Sequence, residues 1–416
     1  MWVCPETKWH HLATMAAPPI RDGLRARALD QRDMYFSTGA AASDTTGQSE
    51  IRHSYCKPDL RDEQIFGGGK ERAVIAYKPG IVISEKGRDR DKAMDQHHEY
   101  EFGGPWGVTA MITLFPVLMY YLWICLWFYE GHLVHPTSFQ DIVPFFQRMF
   151  HHVYEDAFPT PRAFVGYGGL MLVEFVLAWV VPGFEQEGLP VPSLNYKTLM
   201  YKCNALNCLY LTLLIAAGLH FSGIYRLTEI IAHFGEYMTV SMIAGFTVSL
   251  WTYAAAVITK TTHRMSGNFM YDFFMGASLN PRIGPIDLKM WAEVRIPWIL
   301  LFLISVSGAC KQYEDYGYVT PNMLFMVLAT GLYINACGKG EECIPQTWDM
   351  FHEKWGFMVI FWNFAGVPFT YCYSIVYMAR TNPEAYRFST LTYVFMYALL
   401  LFAHFVFDSS MAQKSR

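Results

Sequence analysis

The feature that most constrains this chain is a succession of apolar runs, each about 20 residues long, between residues 108 and 407. A hydrocarbon core of roughly 30 Å takes about that many helical residues to cross. Eight spans are predicted, at 108–129, 163–182, 205–224, 238–258, 297–310, 318–337, 355–379 and 390–407. The expected fold is therefore all-α, a polytopic membrane bundle of about eight transmembrane helices over 101–416, preceded by a charged flexible tail over 1–100. Charge divides the chain in the same place. Residues 1–100 carry 30 of the 68 charged side chains, whereas a soluble chain spreads about 25% charge along its length. The tail has no sustained periodicity, though AVIAYKPGIVI suggests a short extended segment. Tyr100-Glu-Phe-Gly-Gly-Pro105 marks entry to the folded body.

Two spans admit a second reading. The fifth is short, lying between Arg295 and Lys311, and the sixth holds Pro321 near its start. Either also reads as a buried or re-entrant helix. Trp127, Tyr129, Trp251, Trp298 and Trp355 fall near predicted span ends, where aromatic rings sit at headgroup level. With the N-terminus in the cytosol, 26 Lys and Arg face that side and 6 the other; without the tail the ratio is 11 to 6.

Several classes are excluded. The net charge of −4 gives no sign of a nucleic-acid partner. Nine cysteines without a CxxC pair suggest neither a disulfide framework nor a metal site. The sequence opens with no apolar leader, so the first span is expected to direct membrane insertion. There is no GxGxxG and no GxxxxGK[ST] motif. A transporter would require inverted repeats or paired broken helices, and the sequence shows neither.

Polar residues inside the spans need a reason. Glu174 sits mid-span in MLVEFVLAW, where a carboxylate is costly unless paired, protonated or lining a cavity. Asn204, Asn207, Asn363 and His404 serve equally as helix-bridging groups or as chemistry. The loop 259–296 is rich in Gly, Pro, aromatic and charged residues and suggests a folded cap organised by Asp272, Asn280 and Arg282. In it Arg282 or Lys289 offers a contact for a phosphate. If 348–353 is helical, Asp349, His352 and Glu353 share one face. They form either an interfacial turn of paired side chains or an acid where a membrane cavity meets water. HEKWG is not the HExxH of a zinc protease.

Gly267-Asn-Phe-Met-Tyr-Asp-Phe-Phe-Met-Gly276, continuing Ala-Ser-Leu-Asn-Pro-Arg282-Ile-Gly, resembles the signature of the integral-membrane sterol reductases. That family includes the sterol C-14, C-7 and C-24(28) reductases and the lamin B receptor. Trp291, Glu293 and Arg295 after IDLK, and Leu199–Asn204, fit the same pattern. WDMFHEKWGFMVIFWNFAGVPFTYC is most similar to the fungal C-24(28) branch; the other branches carry a DGFGFM-like run at Glu353–Met358. The resemblance covers about 100–416.

It implies NADPH-dependent reduction of a sterol side-chain double bond, the final step of ergosterol synthesis, in the endoplasmic reticulum membrane. Its partners would be a sterol drawn from the bilayer, membrane lipids and other membrane proteins of that pathway. An alkene must take a proton from an acid as hydride arrives. Asp349, His352 and Glu353 are the candidate proton relay, with Glu174 a buried alternative. Met411-Ala-Gln-Lys414 matches the start of the family's cofactor half, so Lys414 is the expected NADPH contact. The rest of that half is expected to be missing, which makes the chain a fragment, a mis-terminated gene product or an inactive paralogue. C-14 or C-7 reduction, and a sterol-binding or scaffold protein, remain the alternatives.

Overall fold

The computed structural model of the protein describes residues 76–78, 81–82, 100–194 and 196–415, with side chains from 100 to 413. The rest of the expected tail lies outside the described residues. The chain divides into two units, Met1–Asp95 and Gln96–Arg416. In the first, β1 (Ala76–Lys78) pairs antiparallel with β2 (Ile81–Val82), within the stretch read as extended.

The second unit is helical. Its first helix, α1 (Gly104–Phe128), begins where Gly103 and Gly104 take φ of +76° and +67°, values that a Cβ disfavours. Then follow α2 (Ile142–Asp156), α3 (Pro161–Val180), α4 (Ala205–Phe221) and α5 (Phe234–Ile258). The rest are α6 (Phe269–Met275), α7 (Leu288–Tyr316), α8 (Pro321–Lys339), α9 (Phe357–Arg380) and α10 (Thr390–Ser415). Seven of these are long and apolar enough to cross a membrane, and the 17-residue α4 falls just short. The chain is a polytopic all-α membrane bundle. All eight predicted spans coincide with helices.

Two spans differ from expectation in instructive ways. The short fifth span is the middle of the 29-residue α7, the hub of the bundle, which packs on α3, α4, α8 and α9. Of its apolar stretch 72% is buried, against 0% for the peripheral α10. Asp287 caps α7 by accepting the Met290 N–H at 3.0 Å, which extends the helix nine residues before Pro297. Trp298 is consequently a core residue, and Trp355 is buried too, at 7% and 2% exposure, so neither joins an aromatic belt. Trp127 instead carries the Arg380 guanidinium 4.2 Å above its ring. Pro321 starts α8: Thr320 accepts the Met323 N–H at 3.2 Å and the proline follows it in the first turn.

Helix α9 is irregular. A π-turn at Trp362–Gly366 interrupts it, and the Phe364 carbonyl accepts from the buried Tyr167 hydroxyl at 2.9 Å. Asn363, in the same turn, is 2% exposed. Helix α2 crosses nothing. Val143, Phe146, Phe150 and Tyr154 form an exposed stripe on it, the pattern of a helix lying in the membrane interface.

The bundle has a cap at one end. It is built from the antiparallel hairpin β3 (Phe184–Glu187) and β4 (Met200–Cys203), from 259–287, and from 340–356. A second hairpin, β5 (Arg282–Ile283) with β6 (Ile286–Asp287), leads into α7. At the other end Arg162 meets Glu229 at 2.9 Å, and Gln312 ties Thr320 to Tyr386.

Candidate functional site

Two glycines bring the cap together. At Gly276 φ is +99°, and an added Cβ would lie 2.6 Å from the Gly356 nitrogen. A Cβ on Gly356 would come within 2.1 Å of the Gly276 nitrogen. The end of α6 and the start of α9 therefore touch backbone to backbone, and Trp355 N–H bonds to Ser278 O at 2.9 Å. Asn268 caps α6 through the Tyr271 N–H. Asp272, 1% exposed, accepts the Ser266 and Gly267 N–H groups at 2.8 and 3.1 Å.

The expected helical face of Asp349, His352 and Glu353 does not form. The helix there is one turn, Trp348–Phe351, and His352 leaves it at φ −129°. The chain must extend from 352 to 356 to bring Gly356 against Gly276. The three side chains therefore part. Glu353 Oε1 accepts the Trp348 indole N–H at 2.7 Å. His352 Nε2 meets Arg264 at 2.5 Å and its ring packs on Trp348. Asp349 Oδ2 lies 3.5 Å from Lys289 Nζ.

Lys289 organises this turn. It has no exposed surface and donates to the carbonyls of Asp349 and Glu353, the latter at 2.7 Å. Arg282 donates to Met200 O at 2.8 Å, lies over the Tyr201 ring and pairs with Asp287. Asn280 binds Tyr201 Oη and Met350 O. Burial raises the Tyr201 phenol and the Asp287 carboxyl above their ordinary ranges. Asp272, Asn280 and Arg282 thus hold the cap together as expected. Lys289 is committed to protein oxygens, whereas Arg282, 25% exposed at its side chain, donates from Nη1 to Met200 O and keeps Nη2 without a hydrogen-bond partner among the described residues.

Lys354, 7% exposed, donates to Arg264 O at 3.0 Å. Desolvation lowers its pKa from 10.5 to about 8, against the pull of Asp272. A base held below its unfolded pKa makes the unfolded chain bind more protons between these values, so this group adds stability as pH rises from about 8 towards 10.5. Thermal unfolding in detergent should show that slope. Lys354→Met should flatten it; an unchanged slope in the variant would contradict this assignment.

Deeper in the bundle Arg295 joins three elements. It donates at 2.7 Å to both Asn204 Oδ1 and Glu341 Oε1, and Glu341 Oε2 accepts the Ala205 N–H that starts α4. Asn204 donates to Ala178 and Val181 carbonyls, so it bridges helices as its position suggested. Glu174, fully buried in α3, accepts from Thr212 at 2.5 Å. It stands apart from the Asp349 turn. Glu341 and Lys289 were not singled out as partners by sequence; the only signal was that charge adjoined apolar runs.

A dinucleotide needs cations or open backbone N–H groups for its diphosphate. Lys289 and Arg295 are buried and engaged by protein oxygens. The Lys414 side chain lies outside the described residues. Among those residues there is also no metal-ligating cluster.

A polytopic helical bundle with a buried, charged cap at one end is an integral-membrane protein built to hold polar groups against an apolar interior. The chain belongs to the ergosterol biosynthesis ERG4/ERG24 family of membrane sterol reductases, whose model matches residues 96–416. It is 44% identical over 356 residues to a Delta(24(24(1)))-sterol reductase of Gibberella zeae, covering 84% of this chain and 60% of that protein. It is 41% identical over 332 residues to the Delta(24(24(1)))-sterol reductase erg4A of Aspergillus fumigatus, covering 80% and 70%. A Delta(14)-sterol reductase of Dictyostelium discoideum is 31% identical over 76% of the chain and 69% of its own length.

Proposed function

We propose that the protein reduces the C-24(28) double bond of a sterol side chain, with NADPH as the hydride source. The observation that carries this reading is the gap between 44% and 41% identity to the two Delta(24(24(1)))-sterol reductases and 31% to the Delta(14) enzyme. The chain spans 60% of the Gibberella protein's length. We therefore confine the chemistry to what its own residues offer, which is the acid half of the reaction. An isolated alkene accepts hydride poorly, since the carbanion it would become is unstable. Protonation of one carbon makes its neighbour electrophilic, so the protein must hold an acid beside the bond and exclude water. Asp349 at the cap, with His352 and Glu353 in its turn, is the favoured relay, and Glu174 is the alternative inside the membrane. NADPH supplies hydride when bound, with Lys414 the residue carried over for its phosphates. The substrate enters from the bilayer, as suits a rigid apolar body. The excess of Lys and Arg supports a cytosolic cap and N-terminus, in the endoplasmic reticulum membrane.

Expression in a fungus lacking its own C-24(28) reductase tests this reading. The 24-methylene sterol that accumulates should be converted to the saturated side chain. Loss of ring unsaturation instead would place the protein with the C-14 or C-7 enzymes, and an unchanged sterol profile would favour a binding or scaffold role.

A further inference from the structure

We infer that His233 is a proton-operated latch between α3 and α5, at the end of the bundle away from the cap. Neutral, it holds the start of α3 through Arg162; protonated, it releases Arg162 and turns to Glu229. Three elements meet there. The first turn of α3 brings Arg162, behind its capping residue Thr160. The short helix Thr228–Ala232 brings Glu229, and the Ile231 N–H anchors that helix on the Ser307 hydroxyl of α7 at 3.0 Å. His233 lies in the break between the short helix and α5, and Glu236 stands in the first turn of α5.

The protonation state of the ring follows from its partners. Arg162 Nη1 lies 2.7 Å from His233 Nε2, and a guanidinium only donates, so Nε2 must offer a lone pair. A neutral imidazole with Nε2 as acceptor carries its proton on Nδ1. Nδ1 lies 2.8 Å from Glu236 Oε1, which therefore accepts, while Glu236 Oε2 accepts from the Thr160 hydroxyl. Two ties thus join α3 to α5, Arg162 to His233 and Thr160 to Glu236, and the ring bridges them.

A proton on Nε2 undoes the first tie, because two N–H groups would then face one another. An acceptor for the new N–H is already in place: Glu229 Oε2 is 3.5 Å from Nε2 and also receives Arg162 at 2.9 Å. Charge favours the exchange. Glu229 and Glu236 share the single cation Arg162 while the ring is neutral, and two cations match two carboxylates once it is protonated. The other titratable groups packed here have partners of their own or face water. Tyr225 and Tyr237 pair hydroxyl to hydroxyl at 2.6 Å, and Glu314 of α7 takes the Thr228 hydroxyl at 3.4 Å. Asp156 of α2 sets its backbone carbonyl against Gly235, and its side chain and Arg226 are exposed. His233 is 32% exposed at its side chain, so water reaches it to exchange the proton. In the orientation proposed above that proton comes from the lumenal side; the latch itself does not depend on that reading.

Nitrogen-15 NMR of the purified, detergent-solubilised protein labelled at histidine tests the ring directly. His233→Gln identifies its signals by their loss. Arg162→Met, at an exposed position, identifies them by displacement should the first variant not fold. At about pH 8 the wild-type ring should show Nδ1 protonated and Nε2 bare, and at about pH 5 both nitrogens protonated. Arg162→Met should let the neutral ring move its proton to Nε2, towards Glu229. A wild-type ring protonated on Nε2 at about pH 8 would overturn the inference. Hydrogen exchange read by mass spectrometry gives the structural consequence. After correction for intrinsic pH dependence, the first-turn amides of α3 should exchange about two- to fivefold faster at about pH 5 than at about pH 8, the scale of a part-exposed ion pair. His233→Gln donates and accepts but takes up no proton, so it should abolish that difference. Equal exchange at both pH values in the wild-type protein, or a difference kept in His233→Gln, would show that the ring is no latch.

Discussion

Replacing Lys289 by methionine is expected to lower stability by about 3–5 kcal/mol, the usual result of removing one partner from a buried ion pair. The methionine fills similar volume, so packing alone would not produce such a loss. What is lost is the donor to the carbonyls of Asp349 and Glu353 and the cation beside Asp349 Oδ2. Lys289 itself has no exposed surface, although the Asp349 side chain is 30% exposed, and acceptors left unpaired beside it are destabilising in their own right. Lys339 offers a control. It pairs with Asp408 at 3.3 Å, but the two side chains are 50% and 40% exposed. Lys339→Met should change stability by no more than about 1 kcal/mol. Thermal unfolding in detergent separates the two, and equal effects would contradict the organising role of Lys289.

Glu341→Ala should cost about as much, roughly 3–5 kcal/mol, for a related reason. Glu341 and Arg295 are each 3% exposed at the side chain and 2.7 Å apart. Without the carboxylate, Arg295 keeps a buried charge with only Asn204 Oδ1 as hydrogen-bond acceptor, and the Ala205 N–H loses its acceptor at the start of α4. Removing both charges is gentler than removing one. The double substitution Arg295→Met with Glu341→Leu should therefore cost less than the sum of the singles by more than about 1 kcal/mol, since residues in one buried network couple strongly. Additive losses would show that the pair is incidental to folding.

Much of the bundle was legible because membrane spans declare themselves through local composition. Apolar runs and Gly103-Gly-Pro105 marked the helices and the first helix start without reference to anything distant. The errors arose where one helix lies inside the others. Trp298 and Trp355 sit at the edges of apolar runs, which is where a lipid-facing helix would show its belt. They are buried because α7 and α9 form the core, and hydropathy cannot distinguish protein from lipid as the apolar neighbour. Asp349, His352 and Glu353 have helical spacing, yet the chain abandons the helix at His352. The cause is the contact between Gly356 and Gly276, 80 residues apart in sequence. Glu341 is one of two adjacent acidic residues in GKGEEC. It is buried because Arg295, from α7, lies against it. Partners of this kind are set by packing, and no period in the sequence announces them.

Within the proposed function, membership of the family supports the class of chemistry more than it supports any one residue. Asp349 has Lys289 beside it at 3.5 Å, whereas among the described residues Glu174 has Thr212 as its hydrogen-bond donor. The most direct measurement of the central claim is a product assay on microsomes containing the protein, supplied with a 24-methylene sterol and either NADPH or NADH. The account predicts a saturated side chain two mass units heavier, formed with NADPH and not in its absence, and at least about tenfold less of it from Asp349→Asn. Bound sterol recovered unchanged with NADPH present would contradict the account, and full activity in Asp349→Asn would remove Asp349 from the mechanism.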